Sequence, residues 1–294
     1  MKEFNGKEEK VNQILNRISQ SNLKENSHLY PDYGAIKIID AAEDCLTNTK
    51  KEDSYPAIIF LRVVLAANRD YNKHVRPNIK RIQTKYPQLK SFEELDKLIN
   101  SLSRSAFYEL WGHKNSRKYN VLKNLMKATE VLRSKYQIED DFLLMRTWAE
   151  KVDIKKLHND EIGKIKDVAL ATVQHLRMDF GIDTVKPDQR VIEVLEREFV
   201  HHQISQKKAI QLVEELTRIT GIKTRTIDLI LVNYGSGYYD NRKFSSKFMI
   251  QLEIAKKLIK MGVDDDIVAK GTELQIETIK EIKENSKEQI AKWQ

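Results

Sequence analysis

Residues 55–68, "YPAIIFLRVVLAAN", are apolar on nearly every side. The run is longer than a typical strand, and Pro56 suits the first turn of a helix, where a missing N–H costs nothing. A helix that is apolar all round belongs in an interior. The segment is therefore read as a buried central helix, and the other segments as the elements that enclose it.

Those segments are helical in pattern too. Only 10 glycines and 5 prolines punctuate the chain, too few for a sheet-rich fold with its many turns. Residues 1–50 read as one or two amphipathic helices broken at "ENSHLYPDYG", where Pro31 and Gly34 mark a turn. "NKHVRPNIKRIQTKYP" crowds basic residues into one stretch, and "SFEELDKLINSL" pairs Ser91 with Glu94 at capping-box spacing. Val121, Leu125, Ala128 and Leu132 recur on one face of the helix that follows a polar basic turn at residues 112–118. "EDDFLLMRTWAEKV" and "EIGKIKDVALATVQHLRMDFG" read as further helices or helix pairs. "VIEVLEREFV" follows, then "SQKKAIQLVEELTRITG" with a stripe of Ile210, Val213, Leu216 and Ile219. "TRTIDLILVNYGSGYYD" reads as a last buried helix ending at a glycine-tyrosine turn. Residues 245–294 stand apart as two or three amphipathic helices linked by Gly262 and Gly271. With no repeat, no low-complexity segment and no strand pattern, the expected fold class is all-α.

The 51 basic and 43 acidic residues leave a net charge of +8, which can attract nucleic acid or an acidic surface. Intermixed as the charges are, an ordinary solvated surface carries the same excess. No apolar run approaches the roughly 18 residues of a membrane span. The first residues, "MKEFNGKEEKVNQ", lack the apolar core of a secretory signal. A soluble, cytoplasmic protein with no membrane partner is expected. The single cysteine, Cys45, rules out an intrachain disulfide and a cysteine-built metal site. His201 and His202 are adjacent, and neighbours on a helix do not face the same way. Neither a metal nor another cofactor is expected.

One interruption carries chemistry. In "DFGIDTVKPDQRVIEVL", residues 179–195, a glycine, a short apolar step and Lys-Pro put Asp188 where a new helix begins. The Lys-Pro pair is read as the stop of the preceding helix. An aspartate after proline is a common N-cap. It is also a fixed carboxylate on a rigid element, and one residue can be both.

Taken in order, residues 55–243 resemble the helix-hairpin-helix DNA glycosylase superfamily, the fold of endonuclease III and its adenine- and alkylbase-removing relatives. Four stations carry the resemblance. "YPAIIFLRVVLAANRDYNKHV" is similar to the family's early buried helix, with Asn68 where a glutamine often fills the space of an extruded nucleotide. "GHKNSRKYNVLKNL" is similar to the turn whose residue after the glycine wedges into the duplex; here that residue is His113, followed by Asn115 and Ser116. "GIDTVKPDQRV" has the family's glycine, apolar step and aspartate, which assigns Asp188 the catalytic role. "IDLILVNYGSGYY" resembles the late helix, without the cysteines of the iron–sulfur loop. The resemblance implies a two-lobed fold, with residues 1–54 a helical segment belonging to the second lobe, residues 55–244 the core, and residues 245–294 a helix-turn-helix-like appendage. It departs at the hairpin, where Asp167 and Ala169 occupy the glycine positions and Gly163 offers a displaced substitute. The position of the family's nucleophilic lysine falls near Leu170, so strand cleavage by that route is not expected, although Lys164 and Lys166 lie close in sequence.

The implied activity is base removal. Breaking an N-glycosidic bond builds positive charge on the sugar, which a fixed carboxylate stabilises while it orients or deprotonates a water. The base must first leave the stack. Double-stranded DNA carrying a damaged or modified base is the expected partner, bound by a monomer through Asn68, His113, Asn115, Lys164, Lys166, Gln189 and Arg190, with Asp188 catalytic. Taken singly, His113 is also readable as a solvated loop residue and the lysines as plain surface charge. Two other readings stand beside this one. The first is a non-catalytic DNA-binding protein of the same fold, and the second a helical module that binds an acidic protein partner.

Overall fold

The computed structural model describes residues 3–25, 27–29, 36–48, 51–239, 244–280 and 282–283. Among them every regular element is a helix, and the one extended pairing is an isolated bridge between Asn22 and Lys37. The chain is all-α. The expected turn at Pro31 and Gly34 lies outside the described residues.

The order is α1 (Glu8–Ser19), α2 (Ile38–Thr47), α3 (Pro56–Ala66), α4 (Arg76–Lys85), α5 (Phe92–Ser101), α6 (Arg104–Trp111), α7 (Ser116–Tyr136), α8 (Asp141–Lys151), α9 (Leu170–Asp179), α10 (Gln189–Val194), α11 (Gln206–Thr220), α12 (Thr224–Tyr238), α13 (Phe244–Lys260) and α14 (Asp265–Thr272). No helix among the described residues is long and apolar enough to cross a membrane.

The apolar run becomes α3, and Ala57–Leu61 and Val63–Ala66 are all buried. Around it, α4 to α8 contribute Ile79, Phe92, Leu95, Phe107, Trp111, Leu122, Leu125 and Trp148 to one hydrophobic core. The Ser91–Glu94 capping box forms and starts α5. Val121, Leu125, Ala128 and Leu132 are buried on α7, as their spacing predicts. A second core gathers Leu15 and Ile18 of α1, Ala41 and Ala42 of α2, Val185, and the inner faces of α10, α11 and α12. The first helices of the chain thus pack with the late ones. α9 lies between the cores: Val173 and Leu176 face the first, and Leu170 the second. A small third core of Leu252, Ala255, Val268, Ile279 and Ile282 holds α13 and α14 together.

Several expected boundaries move. α3 stops at Ala66 rather than running to Asn68, because the Lys118 ammonium takes the carbonyls of Leu65 and Ala67. The segment read as helical from Glu161 is a series of turns up to Val168, and helix starts only at Leu170. α9 ends at Asp179, followed by Gly181 at φ +90°, so the stop lies ahead of Lys186 and Pro187. "VIEVLEREFV" is not one α-helix: α10 widens into a π-helical turn, Leu195–Val200. α12 does not end at its glycines but runs through both, because each lies where another chain segment comes close. A Cβ on Gly235 would sit 3.3 Å from the Arg190 carbonyl oxygen on α10, and one on Gly237 would sit 2.6 Å from Ser27 Oγ. Gly271 is likewise inside α14, whereas Gly262 at φ +76° follows α13.

One ionic cluster joins the cores. Arg62, the lone charge on α3, donates to Asp179 Oδ2 at 2.9 Å and to the Asp53 carbonyl at 2.9 Å. Arg225 of α12 reaches the same carboxylate at 3.8 Å and donates to the Met178 carbonyl at 3.0 Å. Burial alone pushes the Asp179 carboxyl up, but the Arg62 guanidinium, with Arg225 beyond it, outweighs this and holds it at about 2. His175 is pushed down to about 3 by burial and by Lys186, so it is neutral near pH 7.

Removing one partner of such a pair leaves an uncompensated buried charge. Asp179→Ala is expected to lower the free energy of unfolding by roughly 3–5 kcal/mol, read as a lower denaturant midpoint at unchanged slope.

Candidate active site and nucleic-acid interface

The loop of residues 181–188 is extended, and α12 holds it at two points. The Asp183 carboxylate accepts the Thr224 and Arg225 amides at 3.3 and 2.9 Å, which caps α12 from across the loop. In return, Asp228 Oδ1 accepts the Lys186 amide at 2.9 Å. From the other side, Gln174 Nε2 donates to Thr184 Oγ1 at 2.9 Å and to the Val185 carbonyl at 3.2 Å. Pro187 is buried, and Asp188 follows as the N-cap of α10.

Asp188 Oδ1 accepts the amides of Arg190 and Val191 at 3.0 and 3.2 Å. Its Oδ2 lies 3.5 Å from the Lys186 ammonium. A carboxylate is favourable there because the helix N-terminus presents unpaired N–H groups and a positive dipole end. The side chain remains 28% exposed, so the protein covers it only in part.

Two titratable groups beside it are unusual. Burial and the neighbouring Asp188 charge push Asp228 up to about 7, against the Lys186 amide, the Lys186 ammonium and Arg225. Glu193, on α10, is pushed up to about 7 by burial, opposed by Arg190 and Arg197. Its Oε2 receives Arg190 Nη1 at 2.8 Å, while its Oε1 is buried with no hydrogen-bond partner among the described residues.

Two exposed turns on the first core form one unit. Asn68 follows α3 at φ +54° with its side chain exposed. His113 follows the left-handed Gly112 that ends α6. Arg69 Nη1 donates to the Gly112 carbonyl at 3.0 Å, and Lys118 of α7 holds the end of α3. Burial, and secondarily Arg69, lowers the Lys118 ammonium to about 8. His113 is held down to about 4 by burial and by the two cations, so its ring is neutral near pH 7. Its Nε2 is buried without a hydrogen-bond partner among the described residues. Asn115 is the N-cap of α7, its side chain accepting the Arg117 amide at 2.8 Å.

The turns ahead of α9 are built on Asp160, whose carboxylate accepts the Trp148 indole N–H and the amides of Ile162 and Gly163. Gly163 has no positive φ, and it is small because a Cβ there would lie 2.5 Å from the Leu157 carbonyl oxygen. The left-handed residue is Asp167 at φ +70°, a conformation that aspartate tolerates better than most side chains. Ala169 then enters α9 with no side-chain cap. A helix start of this kind, with no carboxylate over it, suits an anion.

The expected site residues thus fall into three places. Asn68, His113 and Asn115 share the paired turns. Lys164 and Lys166 are exposed on the turns before α9, Lys164 paired with Glu161. Asp188, Gln189 and Arg190 open α10, where Gln189 is exposed and the Arg190 guanidinium is turned towards Glu193. Leu170, at the expected lysine position, is buried in the second core. Asp228, Lys186, Asp183 and Arg69 are not marked as site residues by the sequence pattern, and Lys118 reads there only as one of several basic groups able to meet a phosphate. Asp228 does leave a trace, as a charge within the apolar run "TIDLILV". No group of three or more His, Cys, Asp or Glu side chains with metal-site geometry occurs among the described residues. Comparison with family models, with curated proteins and with solved structures gave no match to the chain.

The geometry of these turns makes a paired prediction. Asp167→Gly removes a left-handed side-chain penalty and is expected to raise stability by up to about 1 kcal/mol. Gly163→Ala forces a Cβ against the Leu157 carbonyl and is expected to cost roughly 1–3 kcal/mol. Thermal unfolding of the two variants beside wild type reads both signs.

Proposed function

We propose that the chain is a DNA N-glycosylase that removes a damaged or modified base by hydrolysis. The observation that carries this reading is Asp188. It is a partly exposed carboxylate at the start of a helix, on a loop anchored to α12 and α9, with a lysine 3.5 Å away. The left-handed residue at Asp167, the uncapped start of α9 and the two joined turns at Asn68 and His113 support the same reading.

In the reaction, the bond between the sugar C1′ and the base nitrogen breaks, and its electron pair leaves with the base. Positive charge develops on the sugar, where the Asp188 carboxylate lowers its energy. Water adds its oxygen to C1′, and the proton it loses passes by way of Asp188 to the released base. The base is out of the stack during these steps. Asn68, exposed at the tip of its turn, and the neutral His113 ring fill the vacated space. The amides at the start of α9, with Lys164 and Lys166 beside them, hold a backbone phosphate, which fixes register without reading sequence.

One observation favours a non-catalytic DNA-binding protein instead: both Asp188 oxygens already have protein partners, two amides and Lys186. The two readings separate in a single assay. Wild type and Asp188→Asn, which retains an N-cap side chain, are incubated with duplexes carrying a panel of damaged and modified bases, and abasic sites are revealed by alkali. The expected result is release by wild type and a loss of at least about 100-fold in the variant, with DNA affinity changed little. Equal binding by both proteins with no release by either would exclude the glycosylase reading for those bases.

A further inference from the structure

The buried carboxyl of Asp228 has been described so far only as one of the loop's two anchors on α12. It lies on α12 with 4% of its surface exposed, inside a helix that is otherwise apolar at that level: Ile227, Ile230 and Leu231 are fully buried. Burying a carboxyl among such residues is costly unless it is hydrogen-bonded. Its Oδ1 accepts the backbone amide of Lys186, two residues before Asp188. The charged groups that face it are Asp188 from α10, Lys186 from the loop and Arg225 from its own helix.

This geometry constrains the loop strongly. Between Gly181 and the first turn of α10, residues 181–188 form no regular structure, so their placement depends on side-chain anchors. Asp183 anchors the near end, and Gln174 the middle. Asp228 anchors the far end, where a small displacement would swing the Asp188 carboxylate directly.

We propose that Asp228 is the positioning residue of the Asp188 site, fixing the loop through the Lys186 amide and setting by its own charge how firmly Asp188 stays at the head of α10. When Asp228 is neutral, Lys186 has one carboxylate to attend, and Asp188 sits undisturbed on its two amides. When Asp228 ionises, two like charges repel across the loop and compete for the Lys186 ammonium. Asp188 then loosens, and the catalytic arrangement with it. The inference rests on the glycosylase reading for its kinetic consequence but not for its titration.

The sign follows from the direction of the shift. The folded-state value lies above the ordinary 3.8, at about 7. The folded form therefore binds the proton more tightly than the unfolded chain does. The stability contributed is fully present below pH 3.8 and is lost as pH rises through about 7.

The test has two arms on the full chain. In the first, the Asp228 carboxyl is followed by carbon NMR across pH in wild type and in Asp188→Asn. The expected result is a midpoint near neutrality that moves down in the variant, because a neighbouring charge that raises it has gone. A midpoint in the ordinary aspartate range, or one indifferent to Asp188→Asn, overturns the proposal whatever the protein's activity. In the second, single-turnover base release is measured against pH. Wild type is expected to slow as pH rises through about 7. Asp228→Asn, which keeps the acceptor oxygen but cannot ionise, is expected to lose that step, and Asp228→Ala to be slower at all pH values by on the order of 100-fold through misplacement. A step near neutrality that persists in Asp228→Asn would overturn the positioning role. Absence of any base release by wild type counts against the glycosylase reading and leaves the titration arm to decide on Asp228.

Discussion

A guanidinium in the middle of the most apolar helix has to be satisfied, and much of the architecture follows from how this is done. Arg62 is largely withdrawn from water on α3, which favours a carboxylate coming to it. Asp179 supplies that carboxylate from the last turn of α9, and in doing so fixes where α9 ends against α3. Arg225 approaches the same group from α12 and also takes the Met178 carbonyl. The two hydrophobic cores, which α9 and Leu157 also bridge, are thereby joined by a charged point as well. The loop that leaves this point carries Asp188, so the position of the candidate catalytic carboxylate is referred back to the buried pair.

The two cores divide the labour. The first carries the Asn68 and His113 turns, which Arg69 and Lys118 make into one body. The second carries Asp188, with α12 beneath it. Glycines inside α12 let that helix approach α10 on one side and the segment around Ser27 on the other. A buried helix with small residues at its contacts and a single acid facing the loop is a rigid base, and rigidity is what a site built on one carboxylate requires.

Much of this could be read from the residues alone. The apolar run of α3, the capping box at Ser91, the buried face of α7 and the helix start at Asp188 all rest on local pattern, and each is present. The failures have a common cause. Helix ends depart from the local pattern where a distant group decides the matter, as Lys118 does for α3 and the close approach of α10 and Ser27 does for α12. The turns before α9 escaped because their organiser is Asp160, which a periodicity argument reads as one more polar residue. Asp228 escaped for the same reason: its partner is 42 positions away, and only the fold brings the Lys186 amide to it. Long-range polar contacts leave little periodic trace, and the candidate site is made mostly of them.

The N-cap position of Asp188 restricts how this sequence can change over time. The same oxygen that closes the first turn of α10 belongs to the group proposed to act on the sugar. A lineage that no longer needed the chemistry would still feel pressure to keep a short polar side chain there, and Asn, Ser or Thr would meet it. Aspartate held at this position across distant descendants, in place of these equally good caps, would record selection on charge rather than on folding.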